Sequence, residues 1–243
     1  MHLSFRVGAS RLCAALVAAL FCAPAYAASL EVAPTKLTID GKTGATTLTL
    51  ANRGTQPIIV QLEGFTWDQA GNEDVLKPTD AVLVSPPMAR IPAGGKQVVR
   101  VMVKPGAPGV ERTYRLFASE LPDPANNESR TIRVLLQFSV PLFVGTPEVP
   151  ASQIKWDARI GAGGLSLSAN NFGRAHLKFT KLELVTQGGR RMTVSAKAVP
   201  YVLSGATKTW PIAGGFADGE RVTVEGLTDS SDAAIRETIV VHR

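Results

Sequence analysis

The sequence predicts an all-β chain built as two sandwiches in tandem. After residue 27 helical periodicity is weak and short β-rich runs recur. Gly, Pro, Asn and Asp separate those runs at close intervals. A break at Gly145-Thr146-Pro147-Glu148-Val149-Pro150 then divides the chain, because two prolines and a glycine end a strand and stiffen a linker. Roughly 115 residues precede the break after the leader and roughly 95 follow it, and each half suits one sandwich.

Residues 1–27 read as a secretory signal peptide. Arg6 and Arg11 form the basic start, Leu12 to Phe21 the apolar stretch, and Ala25-Tyr26-Ala27 the small-x-small cleavage site. A lipoprotein signal at Cys22 is the rival, but Phe21 is bulky where a small residue is expected. No later run approaches the ~20 apolar residues of a membrane-spanning helix. Both cysteines, Cys13 and Cys22, lie in the leader, so the exported chain has to fold on its core without disulfides. Without Arg6 and Arg11 it carries 24 Lys+Arg against 20 Asp+Glu, a formal charge of +4 instead of +6. That excess is mild and has no basic run, which speaks against a nucleic-acid partner.

In the first half the strands are expected at Leu30–Val32, Lys36–Ile39, Ala45–Asn52, Ile58–Trp67, Leu83–Ser85, Arg90–Ile91, Lys96–Val103, Thr113–Leu121 and Arg130–Val144. In the second half they are expected at Gln153–Ile160, Gly164–Asn170, Lys178–Val185, Arg191–Ala198, Thr207–Ile212, Arg221–Leu227 and Ile235–His242. Asp40-Gly41, Asn52-Arg53-Gly54, Ala70-Gly71-Asn72, Pro92-Ala93-Gly94-Gly95 and Gln187-Gly188-Gly189 supply turns.

The segment 131–143 carries the most information. Ile132, Val134, Leu136, Phe138 and Val140 fall on one strand face, opposite the mixed set Thr131, Arg133, Leu135, Gln137 and Ser139. Such a ladder is either an ordinary core face or, at a sheet edge, a template for a foreign strand.

Several segments resemble the periplasmic pilus-assembly chaperones of the PapD-like, chaperone–usher type. Val32-Ala33-Pro34-Thr35-Lys36-Leu37 with Asp40 is similar to the family's opening strand, and Leu48-Thr49-Leu50-Ala51-Asn52 to its second. Val84-Ser85-Pro86-Pro87-Met88-Ala89-Arg90-Ile91-Pro92-Ala93-Gly94 resembles its PP…R…PG signature, the most specific match. Thr113 to Pro122 resembles the strand before the family's long hairpin loop. The second half matches only loosely, through Asn170-Asn171-Phe172-Gly173.

The resemblance implies two immunoglobulin-like β-sandwich domains, residues 28–144 and 145–243, in an L-shaped, boomerang arrangement. It implies donor-strand complementation: the chaperone lends an edge strand to a pilin subunit that lacks its last strand, then passes it to an outer-membrane usher. Ile132, Val134, Leu136 and Phe138 then fill the subunit groove, and Lys36 and Arg90 anchor the subunit's C-terminal carboxylate. Many members carry a second cleft lysine late in the donor strand, where this chain has Pro141, so the second anchor is left open. The short loop at 122–129 and the missing cysteine pair resemble the archaic, Csu-like branch. Pro141 is expected to weaken or end the strand pairing there.

Enzymatic chemistry has little support. The exported chain has two histidines, His176, expected in an exposed loop, and His242, and no metal-ligand spacing. No Gly-x-Ser-x-Gly, P-loop or His-Glu-x-x-His motif occurs. Neither cofactor nor metal is therefore expected. Trp67, Trp156 and Trp210 are expected in the core or as cleft anchors. The remaining alternative is a secreted immunoglobulin-like adhesin or envelope scaffold without strand donation, and an exposed ladder would favour self-association of the free chain.

Overall fold

The computed structural model describes residues 30–40, 44–107, 109–123, 134–145, 153–194, 201–229 and 234–243. The expected signal peptide lies outside the described residues. Among the described residues every regular element is a strand, apart from a single 3₁₀ residue at Gln153. In the first half these are β1 (Leu30–Ala33), β2 (Leu37–Ile39), β3 (Ala45–Asn52), β4 (Ile58–Ala70), β5 (Glu73–Pro78), β6 (Val82–Ser85), β7 (Met88–Ile91), β8 (Lys96–Val103), β9 (Arg112–Leu121) and β10 (Gln137–Val144). The second half holds β11 (Ile154–Gly161), β12 (Gly164–Asn171), β13 (Leu177–Thr186), β14 (Arg191–Thr193), β15 (Tyr201–Val202), β16 (Thr207–Ile212), β17 (Arg221–Thr228) and β18 (Ile235–His242).

The first ten strands form two facing sheets. One runs β1-β3-β8-β6, the other β2-β10-β9-β4-β5 with β7 also on β4. Alternation fills the space between them. Leu48 and Leu50 of β3, Val99 and Val101 of β8, Leu116 and Ala118 of β9 and Leu142 of β10 are completely buried in one cluster. The segment Pro34-Thr35-Lys36 carries the chain from β1 in one sheet to β2 in the other. Strand β4 bends close under β6 at Gly64, where a Cβ would stand 2.5 Å from that of Val82. Only glycine leaves room for that approach.

The last eight strands form one sheet, β14-β13-β17-β18-β11-β12-β16, with β15 on β13. Its core packs Trp156, Phe179 and Trp210, with ring centroids 5.6 to 6.4 Å apart. Trp67 and Phe143 of the first half belong to this second cluster, so the two halves share packed aromatic rings.

Three expectations change. The long strand expected at 130–144 starts at Gln137; Val134–Leu136 are not strand, and residues 130–133 lie outside the described residues. Glu73–Pro78 and Tyr201–Val202 are strands the hydrophobic pattern did not indicate. Five of six residues in β5 are exposed, so its pairing with β4, not an apolar face, defines it. Pairing does not end at Pro141: β10 stays in register with β9 from Gln137↔Ser119 to Val144↔Arg112.

Each half is tied by one buried asparagine. Asn52 Nδ2 donates to the carbonyls of Gln56, Ile91 and Pro92 at 2.8 to 3.1 Å, and its Oδ1 accepts from Gly54 N at 2.9 Å. Asn171 repeats the device with Ala175 O, Val202 O and Gly173 N. Alanine at 171 takes these donors from the buried carbonyls of Ala175 and Val202 and the acceptor from Gly173 N, and alanine at 52 does the same to Ile91 O, Gln56 O and Gly54 N, while Pro92 O keeps its bond from Gly95 N. Asn52→Ala and Asn171→Ala are each expected to cost about 2–4 kcal/mol in urea unfolding, far above an exposed Asn→Ala change.

Candidate functional site

The backbone of β10 has two sides with different fates. Glu120 N donates to Leu136 O at 2.8 Å, which fixes the alternation: even residues of β10 bond to β9 and odd residues point the other way. On that other side β2 covers only Leu142–Val144. Among the described residues no strand pairs with the outward groups of Gln137 and Ser139. Pro141 is also odd-numbered, so its missing N–H falls on the outward side. That is why pairing with β9 continues through it.

The side chains of this segment divide along its length. Val140, Leu142 and Val144 are buried in the first core, while Leu136 and Phe138 are partly buried against it. Val134 is 75% exposed and Leu135 40% exposed. Ile132 lies outside the described residues. Of the expected ladder, Val134 therefore stands clear, while Leu136 and Phe138 rest on the open end of the chain's own core. A period of two puts Phe138 in line with the buried Val140, Leu142 and Val144, and Leu136 packs beside it against the same core.

Lys36 and Arg90 are not brought together. Leu37, beside Lys36, is level with Leu142, Tyr114 and Thr66 across the sheet. Arg90 is opposite Ile59, which is opposite Leu121. The two positions are thus roughly 23 Å apart along β4, at ~3.3 Å per residue. A single carboxylate cannot contact both.

Lys36 sits where the halves meet. Its Nζ is 3.0 Å from Asp229 Oδ2, and Lys178 Nζ is 3.9 Å from the same oxygen. Arg115, cross-strand from Pro141, stacks its guanidinium 3.7 Å over the Trp67 ring and lies 3.8 Å from Asp74. Burial lowers the Arg115 pKa, and Asp74 and Tyr201 oppose that shift. Tyr201 packs edge-on against Trp67 at 5.1 Å. Burial raises its pKa, and the nearby Asp229 adds to the rise. His176 is no exposed loop residue. Its ring stacks on Phe143 at 3.5 Å, and Nδ1 lies 2.7 Å from Glu111 Oε2. Sequence reasoning missed Lys178, Asp229, Arg115 and Tyr201, whose proximity depends on folding the second half back onto the first. Lys36 was marked as an anchor, and Trp67, with Trp156 and Trp210, as a core residue or cleft anchor.

Arg90 occupies different surroundings at the far end. It is half exposed, with Nη2 3.0 Å from the buried Asp123 Oδ2. The level of Leu121 is next to that of Glu120, which bonds Leu136, so Arg90 lies abreast of the exposed end of β10. Three strand spacings, about 14 Å, separate it from β10.

Comparisons with known proteins agree with this architecture. A sequence family described as pili and flagellar-assembly chaperone, PapD N-terminal domain, matches residues 29–149. A search of curated protein sequences found no match. Among solved structures, the chain resembles a chain of the CsuC–CsuE chaperone–tip adhesion subunit pre-assembly complex from archaic Csu pili of Acinetobacter baumannii. Identity is 24%, TM-score 0.65, with 88% of this chain and 99% of that one covered. It resembles the YadV chaperone at 18% identity and TM-score 0.62, covering 88% and 100%. It also resembles a chain of the SafA pilin–SafB chaperone complex of Salmonella enterica at 19% identity and TM-score 0.62, covering 89% and 98%. At these identities the structural likeness speaks to fold, and the matched domain speaks to kinship. With its two-part, all-β fold, the chain belongs to the family of PapD-like pilus-assembly chaperones.

Proposed function

We propose that this chaperone binds pilin subunits in the periplasm by lending them β10, and delivers them to an outer-membrane usher. Residues 1–27 serve as the export signal, and 28–144 and 145–243 as the two domains. The observation that carries the reading is the half-paired backbone of β10: Gln137 and Ser139 offer N–H and C=O groups outward, next to the exposed Val134 and Leu135. Strand addition uses such groups for affinity and alternate side chains for specificity. In the CsuC–CsuE and SafB–SafA structures the partner is a pilus subunit, which supports the same partner class here. Ile132, Val134, Leu136 and Phe138 are the groove fillers, with Leu136 and Phe138 also closing the chaperone's own core. The same open edge would let two free copies pair.

For the subunit carboxylate we favour Arg90 over Lys36. Lys36 is already held by Asp229, and it lies where β2 covers β10. Arg90 is abreast of the exposed end, and its five-donor fork has room for a second carboxylate beside Asp123. Lys36 then ties the two halves together.

A second reading, an immunoglobulin-like adhesin or envelope scaffold, is favoured by one observation: Leu136 and Phe138 pack inward.

Co-expression with the pilin-type proteins encoded beside it, followed by periplasmic pull-down, separates the readings. A well-folded chain that captures none of them would support the adhesin or scaffold. With a complex in hand, Val134→Asp is expected to weaken it about ten- to hundredfold, the worth of one buried aliphatic side chain, with thermal stability unchanged. Leu136→Asp is expected to weaken binding and lower the chaperone's own melting temperature. An unaltered complex with Val134→Asp would remove the strand from the mechanism. Arg90→Ala is expected to weaken the complex at least about tenfold, and Lys36→Ala much less. The reverse ranking would move the carboxylate to the cleft.

A further inference from the structure

Strand β16 ends the order of the second sheet, and its outer side is an edge in its own right. Thr209 shows which groups face outward. Its N–H donates to Asn72 Oδ1 at 2.8 Å, and its carbonyl accepts from Asn72 Nδ2 at 2.7 Å. The pair Ser168↔Thr209 on the inner side is therefore the narrow, non-bonded kind, and their hydroxyls meet at 2.8 Å. By alternation Thr207 and Pro211 also face outward, and proline has no N–H to offer.

Asn72 comes from the other half of the molecule. It occupies the two-residue turn between β4 and β5, behind Gly71 with φ near +60°. Its primary amide presents one acceptor and one donor to Thr209, as a neighbouring strand's peptide would. Lys208 Nζ holds the turn in place by donating to Asn72 O at 2.5 Å, and lies 3.7 Å from Asp74. Three residues earlier, in β4, Gln69 makes the same kind of two-way contact at the end of β15. Its Nε2 donates to Tyr201 O at 3.1 Å, and its Oε1 accepts from Leu203 N at 3.0 Å.

We propose that Asn72 is a specificity-determining guard of this edge: with Pro211, it denies β16 to other strands. The cognate occupant of an unguarded β16 is a second copy of this chain, pairing edge to edge, because any two copies then present the same three-residue run of free groups. The inference stands on the geometry of β16 and does not need the chaperone reading to hold.

The test uses the whole exported chain, alone in solution, unaltered and as Asn72→Ala, Asn72→Asp and Asn72→Ala/Pro211→Thr. Asn72 is exposed, so folding should survive each change, and circular dichroism melts check that. Amide hydrogen exchange at Thr209 is expected to quicken about tenfold or more in dilute Asn72→Ala, with Asn72→Asp between the extremes. On concentration, sedimentation of the double variant should show association beyond that of the unaltered chain. The new protection should map to Thr207, Thr209 and the substituted position 211. Unchanged exchange at Thr209 would overturn the guard. So would a double variant that sediments like the unaltered chain, or new protection at Gln137 and Ser139 instead.

Discussion

The alternation of backbone hydrogen bonds along β10 is the constraint on which the rest of the molecule depends. Every second residue bonds inward to β9, and the residues between must find partners on the other side or go without. Near the base, β2 supplies them for Leu142–Val144. Above Pro141 no described strand does. A fully paired β10 would be an inert core strand. An unpaired one would have no reason to stay in place. The strand is held on one side along its length and open on the other for part of it. That combination allows an exchangeable partner without unfolding the host.

The base of β10 has a second duty. Phe143 leaves the first core and enters the second, stacked against His176 and tilted against Trp67 and Tyr201 at 5.9 and 5.6 Å. Trp67 does the same from β4. The contact between halves is thus built from β10, which carries the open edge, and from β4, two strands away in the same sheet. Around the rings lie Lys36–Asp229, Glu111–His176, and the amide contacts of Gln69 and Asn72. Exposed ion pairs contribute little on their own, so the buried rings and the paired amides account for more of the hold than Lys36 does.

Much of this was legible in the sequence wherever burial left a periodic trace. The strands that line the cores, such as β3, β8 and β12, show alternation and were placed within a residue or two. Strand β5 left no trace because five of its six side chains face solvent, and β15 is two residues long. The ladder at 132–140 was visible as a pattern, but periodicity cannot say where a core ends. Leu136 and Val134 look alike in sequence and differ in exposure because Leu136 packs against the first core and Val134 does not. The distance between Lys36 and Arg90 was hidden for a different reason: it is set by cross-strand register, which no local spacing records. His176 looked like a loop residue for want of any signal that Glu111 and Phe143 would reach it.

Two prolines make the final point about edges. Pro141 and Pro211 both lie in strands whose inner pairing is unbroken, and both direct their missing N–H outward. On β16 the proline stands beside a residue already bonded to Asn72, so almost nothing remains for another strand. On β10 the proline stands at the upper limit of β2, below Ser139 and Gln137. There it does not close the edge. It marks where the permanent partner stops, since a parallel strand extended past Leu142 would find no donor at 141. The same residue type therefore protects one edge and sets the lower boundary of the other, and the difference lies in what occupies the positions beside it.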